Sequence, residues 1–212
     1  GKGLPLWTPK GTILLLHGVM MSKETMLHWA LRLAQAGYRT VLVDLRGHGH
    51  STGRWITYGA VEAADLSRVL DDLERRGQLA GRLGVLGNSY GAAMALQLAA
   101  RDARVKTEVA LQPFSAGDAA VGEFGRAVAP RLARFLSGPP LDRALRRAEN
   151  LAGFSWQQTD VTKIVDRIKV PILFFHGAKD TWISPKHSEI LRARSNGQSR
   201  LVILEDDSHP TL

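Results

Sequence analysis

Residues 87–91 of the chain, Gly-Asn-Ser-Tyr-Gly, place a serine where it could act as a nucleophile. They follow an apolar run of strand length, residues 83–86, and precede an Ala/Leu/Met-rich stretch of helical character, residues 92–100. On a tight strand-to-helix turn a serine exposes its hydroxyl, and glycine two positions to either side avoids collision with neighbouring backbone. The helix N-terminus behind the serine favours developing negative charge. The pattern predicts that Ser89 is a nucleophile.

Two later loops carry residues that could activate this serine, whose hydroxyl is a weak nucleophile until a base accepts its proton. Asp180 follows the fifth predicted strand, and His209 follows the sixth. The order serine, acid, histidine predicts that His209 is the general base and then the general acid, and that Asp180 fixes its tautomer and stabilises the imidazolium. Asp206 and Asp207 are rival acids, but they stand too close to His209 in the sequence to reach its far ring nitrogen easily.

An oxyanion formed at the serine would need two preorganised N–H donors. One predicted donor is the backbone N–H of Tyr90, the residue after the nucleophile. The other lies in the loop after the first predicted strand, where Gly18 allows a tight turn. We predict Val19 as this second donor, with Met20 as the alternative.

The elements that must position these residues alternate along the chain. Strands are predicted at residues 12–16, 38–43, 83–86, 105–111, 171–175 and 200–204. Helices are predicted at residues 23–36, 59–76, 92–100 and 185–195. This alternation predicts an α/β fold: a mostly parallel sheet with crossover helices on both faces.

Residues 116–169 interrupt this pattern with two to four amphipathic helical pieces rich in Ala and Arg. About 54 residues are far more than one crossover requires. We therefore predict a small helical insertion over the carboxyl ends of the strands, where open α/β sheets bind ligands. The alternative is two ordinary crossover helices on the sheet face. The predicted division is a core of residues 1–115 and 170–212, with the insertion at 116–169.

Composition sets broad limits on function. The chain has 212 residues, 44% of them apolar and 23% charged, as expected for one globular domain. No apolar run approaches the ~20 residues of a membrane-spanning helix. The lack of cysteine excludes disulfides, iron–sulfur clusters and thiol nucleophiles. The net charge is +8, but the Lys and Arg residues are scattered, which favours a solvated surface. We expect no nucleic-acid partner, no membrane span and no cofactor. The sequence leaves the compartment open, and a cytoplasmic location is favoured.

Several of these features together resemble the α/β-hydrolase superfamily, particularly its esterase, lipase and serine aminopeptidase-like members. They are His17-Gly18, the D-x-R-G-x-G-x-S stretch at residues 44–51, the serine turn at 87–91, residues 176–180 and His209. In the family the stretch at 44–51 is a turn. We interpret it as structural, with Arg46 pairing locally; lining the pocket mouth is the alternative.

The resemblance implies that residues 116–169 form a cap that shapes the substrate pocket. Met20 is predicted to line this pocket. Five aromatic residues are candidates for its walls, although ordinary packing is the favoured interpretation of each: Phe114, Phe124, Phe154, Trp156 and Trp182. The chain begins almost at the family's third strand and stops three residues after His209. We therefore expect either a compact member or an incomplete sequence.

The favoured activity is hydrolysis of a carboxylic ester with a short or medium acyl chain, through an acyl-enzyme on Ser89. Peptide, amide, thioester or C–C bond hydrolysis and acyl transfer on the same triad remain alternatives. A metal hydrolase is disfavoured, because neither H-x-H-x-D-H nor H-E-x-x-H occurs. The alternative from another class is a non-enzymatic binding protein, in which Ser89 would not react with a fluorophosphonate.

Overall fold

The computed structural model describes residues 8–135 and 137–211. Residues 1–7 and 212 of the predicted core, and residue 136 of the predicted insertion, lie outside the described residues. The strands form one parallel sheet of order β2-β1-β3-β4-β5-β6. Their bounds are β1 (Gly11–Leu16), β2 (Arg39–Val43), β3 (Arg82–Asn88), β4 (Val105–Leu111), β5 (Ile172–Gly177) and β6 (Arg200–Leu204).

Helices cover both faces of this sheet. They are α1 (Leu27–Gln35), α2 (Glu62–Arg75), α3 (Tyr90–Arg101), α4 (Gly117–Val128), α5 (Gly138–Ala152) and α6 (Lys186–Arg194). Because successive strand residues point to opposite faces, Leu15 packs with Ala30 of α1, whereas Leu14 and Leu16 join the larger cluster that contains residues of α2, α3 and α6. The predicted fold class, an α/β fold with a parallel sheet and helices on both faces, is confirmed.

Three predicted helices differ in their bounds by more than one residue. The first divides into a 3₁₀ helix, Lys23–Met26, and α1, and the helix predicted from residue 92 begins at Tyr90. The helix predicted from residue 59 begins at Glu62, because Tyr58 and Gly59 have φ angles of 52° and 104°, which a right-handed helix does not accept.

The strand order places a crevice between the ends of β1 and β3. The chain passes from β1 outward to β2 and then returns to the opposite side of β1 as β3. In open α/β sheets, ligands bind at the carboxyl edge where the strand order reverses in this way. Leu16 pairs in register with Gly87, so the loops after β1 and β3 leave the sheet side by side.

The segment between β4 and β5 is helical. It contains α4, α5 and short 3₁₀ helices at Pro130–Phe135, Trp156–Thr159, Val161–Lys163 and Val165–Arg167. The ring of Phe124 in α4 lies 5.7 Å from that of Trp182, and Glu123 Oε2 accepts a hydrogen bond from the Ser184 N–H. Helix α4 therefore lies against the loop that follows β5, at the carboxyl end of the sheet. In the part of the chain that the structure describes, no helix is long and apolar enough to cross a membrane.

Glu108, in the middle of β4, is fully buried, and neither carboxylate oxygen has a partner among the described residues. Burial raises the pKa of Glu108 well above its ordinary value, because the apolar surroundings do not solvate the charge. Between the ordinary pKa of a glutamate, about 4.3, and the raised pKa of the folded state, Glu108 therefore keeps a proton in the folded chain that it has lost in the unfolded chain. The free energy of unfolding consequently falls by up to ~1.4 kcal/mol per pH unit until the folded-state pKa is reached.

We expect Glu108→Leu to remove this pH-dependent loss of stability. The free energy of unfolding of the variant, relative to that of the wild type, should therefore rise between pH 5 and pH 8. Urea unfolding at several pH values measures the effect. Glu108→Gln is the matched control, because it removes the ionisation but keeps a buried polar group. An identical pH dependence in all three proteins would contradict the prediction.

Candidate active site

The turn that carries Ser89 is strained and closely packed. Ser89 has φ 52° and ψ −110°, and its N–H donates to the Leu111 carbonyl at 2.7 Å. A Cβ at Gly87 would lie 2.3 Å from the Gly91 carbonyl oxygen, and one at Gly91 would lie 2.3 Å from the Leu16 carbonyl oxygen. The backbone leaves no room for a side chain at either position, as the sequence pattern predicts.

The structure brings the three predicted triad residues together. His209 Nε2 lies 2.9 Å from Ser89 Oγ, and His209 Nδ1 lies 2.6 Å from Asp180 Oδ2. Because an ionised carboxylate only accepts hydrogen bonds, Nδ1–H is the donor to Asp180. Nε2 is then left as the acceptor for the Ser89 hydroxyl, which is the tautomer that a general base requires.

Asp180 is held by several donors. Its Oδ1 accepts the N–H groups of Trp182 and Ile183, each at 2.9 Å, and His176 Nε2 lies 3.2 Å from Oδ2. Burial alone would raise the pKa of Asp180, but the hydrogen bonds from His176, His209 and Ile183 outweigh it and hold this pKa below its usual range. The carboxylate therefore stays ionised at neutral pH and orients the His209 ring.

The rival acids have other contacts. The Asp206 carboxylate is exposed and pairs with Lys179 Nζ at 2.7 Å. Asp207 contributes its backbone carbonyl, which accepts the Lys179 N–H at 3.0 Å. The carboxylate beside the His209 ring is that of Asp180.

The two predicted oxyanion donors flank the serine. Residues 18–21 form a turn closed by the Met21 N–H and the Gly18 carbonyl, and Val19 lies within it. Tyr90 is the first residue of α3, so its N–H has no acceptor within the helix. Neither the Val19 N–H nor the Tyr90 N–H has a protein acceptor in residues 8–135 and 137–211. Both groups are therefore available to an oxygen bound beside Ser89.

His17 connects the loop after β1 to the loop after β2. In the sequence, the His17-Gly18 pair was the signal for this role. The buried ring donates from Nδ1 to the Gly18 carbonyl at 2.7 Å and accepts the Leu45 N–H at Nε2, at 3.0 Å. Burial lowers the pKa of His17, which keeps the ring in the neutral form that both contacts require. We conclude that His17 is a positioning residue for the Val19 turn.

Gln112 is a second positioning residue that sequence reasoning missed. Its Nε2 donates to the His209 carbonyl at 3.1 Å, and its side chain is fully buried. Gln112 directly follows β4, and this position at the carboxyl end of a strand is the sequence feature that could have identified it. The bond fixes the backbone of the loop that carries the histidine.

Two pockets meet at Ser89. The larger, of about 270 Å³, also contains the side chains of Met21, Trp29, Trp182 and His209. The smaller, of about 20 Å³, is mostly apolar and is lined by the following residues: Val19, Tyr58, Tyr90, Phe114, Ala120, Phe124 and Ile183. Ser89 thus lies where the larger pocket and the smaller pocket meet.

The predicted pocket residues divide into three groups. Phe114, Phe124 and Trp182 line the pockets, and the Trp182 ring lies 5.3 Å from that of His209. Met20 does not line them: it stands at the tip of the turn with φ 59°, its side chain is 84% exposed, and Met21 takes its place. Phe154 and Trp156 line a separate groove.

Residues 44–51 form a braced turn. The Asp44 carboxylate accepts the N–H groups of Lys23 and His50, at 2.8 and 3.0 Å, and pairs with Lys23 Nζ. Arg46 pairs with Asp65 of α2 rather than within the turn. None of these residues lines either pocket at the serine, which agrees with a structural role. Searched over the described ranges, the chain brings together no group of three or more His, Asp or Glu residues that could hold a metal ion.

Comparison with known proteins places this site in a family. Residues 13–212 match the model of the alpha/beta hydrolase family. The chain is 28% identical over 201 residues to the uncharacterised protein YqkD of Bacillus subtilis, covering 93% of this chain and 64% of that one. Over 88 residues it is 36% identical to a pimeloyl-[acyl-carrier protein] methyl ester esterase of Neisseria meningitidis, covering 42% of this chain and 30% of the relative. It therefore spans less than two thirds of either relative.

The same fold occurs in a solved structure. The esterase Pf2001 of Pyrococcus furiosus superposes with a TM-score of 0.75 at 22% identity, which covers 95% of this chain and 75% of that chain. The family match extends over nearly the whole sequence, and it includes the loops that carry Ser89, Asp180 and His209. The chain belongs to the alpha/beta hydrolase family.

Proposed function

We propose that this protein is a serine-dependent hydrolase of carboxylic esters with short acyl chains. The observation that carries the proposal is the hydrogen-bonded series from Ser89 Oγ through His209 to Asp180, beside two backbone N–H groups without protein acceptors. The similarity to proteins named as esterases supports an ester as the substrate.

The reaction follows from the direction of these hydrogen bonds. Ser89 Oγ attacks the ester carbonyl carbon and passes its proton to His209 Nε2, while the N–H groups of Val19 and Tyr90 stabilise the oxyanion. The bond to the alcohol oxygen then breaks, and that oxygen takes the proton from His209. Water attacks the acyl-enzyme with His209 again as base, which releases the acid and restores Ser89. Asp180 stays ionised throughout.

The two pockets receive the two halves of the ester. The leaving alcohol must accept a proton from His209 Nε2, so it lies on the side of the larger pocket, which His209 lines. The acyl group then points into the small apolar pocket beside Val19 and Tyr90. A space of about 20 Å³ admits on the order of one or two carbon atoms beyond the carbonyl. Acetyl and propionyl esters fit this arrangement.

The helical segment completes the site as a cap. We propose that residues 116–169 are this cap and that the flanking parts of the chain are the catalytic core. Phe124 of α4 lines both pockets, and Glu123 ties α4 to the loop that carries Trp182 through its bond with the Ser184 N–H. Both contacts support a position of α4 over the serine.

A fluorophosphonate probe and a series of p-nitrophenyl esters test the proposal. We expect one covalent adduct, located on Ser89 by peptide mass spectrometry. We also expect turnover to be highest for acetyl and propionyl esters and to fall by at least ~10-fold for hexanoyl and longer esters.

Ser89→Ala is the control for the probe and should show no adduct. Folded wild-type protein that forms no adduct would refute the serine mechanism. Rapid thioester turnover with negligible ester turnover would refute the assignment of substrate.

A further inference from the structure

Tyr58 separates two apolar spaces. On one side it lines the small pocket beside Ser89. On the other side it forms one end of a groove of about 500 Å³ between α5 and residues 55–58. Most of the groove surface is apolar side chain, including the following residues: Trp55, Ile56, Val121, Leu145, Leu151 and Trp156.

The Tyr58 ring is surrounded by other rings. Its centroid lies 5.4 Å from that of Tyr90 and 5.9 Å from that of Phe114, on the side of the small pocket. It lies 5.3 Å from the ring of Trp156, on the side of the groove. Tyr58 is the residue that lines both spaces in residues 8–135 and 137–211, and its ring stands between them as a partition.

The backbone at Tyr58 is held in place. Its φ of 52° is uncommon for a bulky residue and persists only where neighbouring groups impose it. Here the buried Glu62 carboxylate accepts the N–H groups of Thr57 and Gly59, at 2.7 and 2.8 Å. Gln97 Nε2 donates to the Tyr58 carbonyl at 3.0 Å. Hydrogen bonds to the residues on either side of Tyr58, and to its own carbonyl, therefore fix the position of this residue.

We propose that Tyr58 determines the length of the acyl chain that the enzyme accepts. The ring ends the acyl pocket after about two carbon atoms, and the groove behind it is the space that a longer chain would occupy in its absence. This inference rests on the proposed function, because the acyl group must enter the small pocket for Tyr58 to limit it.

Opening the partition tests the proposal. Tyr58→Gly removes the ring, and glycine adopts a φ of this sign without strain. We expect the ratio of kcat/KM for octanoyl to acetyl p-nitrophenyl ester to rise by at least ~10-fold over the wild type. Tyr58→Ala provides a second opening if the glycine variant does not fold. Tyr58→Phe keeps the ring and should keep the wild-type ratio.

Filling the groove provides the decisive control. Ala148 lines the groove away from the serine, so Ala148→Trp should leave the ratio of the wild type unchanged. Combined with Tyr58→Gly, it should return the ratio toward the wild-type value. A folded Tyr58→Gly or Tyr58→Ala variant that hydrolyses acetyl ester but keeps the wild-type ratio of octanoyl to acetyl ester would overturn the proposal. The proposal would also be overturned if Ala148→Trp did not reduce the gain in this ratio that Tyr58→Gly produces. Failure of the wild type to hydrolyse any ester would instead count against the proposed function.

Discussion

Replacement of Ser89 by alanine is expected to lower ester turnover by about 10⁴- to 10⁶-fold while the protein remains folded. The substitution removes the nucleophilic oxygen and its bond to His209 Nε2. The backbone bonds of the turn persist, because the Ser89 N–H still donates to Leu111 and the Ser89 carbonyl still accepts from Ala92. Steady-state turnover of acetyl ester and thermal unfolding of the same preparation measure the two parts of this prediction.

Ser115 offers a matched control. It is also a buried serine bonded to a buried histidine, with Oγ 2.7 Å from His187 Nδ1. It does not stand on the strained turn, and it lies outside the pockets that contain Ser89. Ser115→Ala should therefore change turnover by no more than a few-fold. If Ser89→Ala kept a tenth of the wild-type activity, Ser89 would have no place as the nucleophile.

The strands and the triad positions were predictable because the signal for each is local. Most strands of a parallel sheet read as short, largely apolar runs, and all six predicted strands coincide with observed strands to within two residues at either end. Ser89, Asp180 and His209 each follow such a run. Once the strands are parallel, their carboxyl ends meet at one edge, so residues 29 and 120 positions apart come within hydrogen-bond distance.

The conformation near Tyr58 was not predictable in the same way. Helical spacing extends back to residue 59, yet α2 begins at Glu62. The Glu62 side chain turns back to bond Thr57 and Gly59, and the resulting turn displaces the first helical residues. Propensity and spacing carry no information about which backbone groups a buried carboxylate will select.

The residues that line the pockets were harder to predict, because the pocket walls depend on packing between distant segments. Phe154 and Trp156 belong to the predicted cap, but their rings face a groove on the far side of Tyr58. Met20 and Met21 are equivalent by composition, but Met20 stands in the turn with a positive φ and it is Met21 that lines the pocket. Composition identified the segments that would form the walls, but not the faces they would present.

Replacement of His209 by alanine is expected to lower turnover nearly as much as Ser89→Ala does. Without Nε2 the Ser89 hydroxyl has no base to accept its proton, and the leaving alcohol has no acid to supply one. Labelling by the fluorophosphonate should slow as well, because it needs the same activated oxygen. Alanine keeps the backbone carbonyl that accepts the bond from Gln112, so the loop should keep its place. Turnover, labelling rate and thermal unfolding together check this result.

The combination of variants distinguishes a triad from three separate contributions. Residues that act as one unit do not add their losses, so Ser89→Ala combined with His209→Ala should be no slower than the slower single variant. Asp180→Asn should lose somewhat less, about 10⁴-fold. Its amide can face His209 Nδ1 as a donor, which moves the ring proton to Nε2 and leaves no acceptor for the Ser89 hydroxyl. A double variant whose loss equals the product of the two single losses would show that Ser89 and His209 act in independent steps.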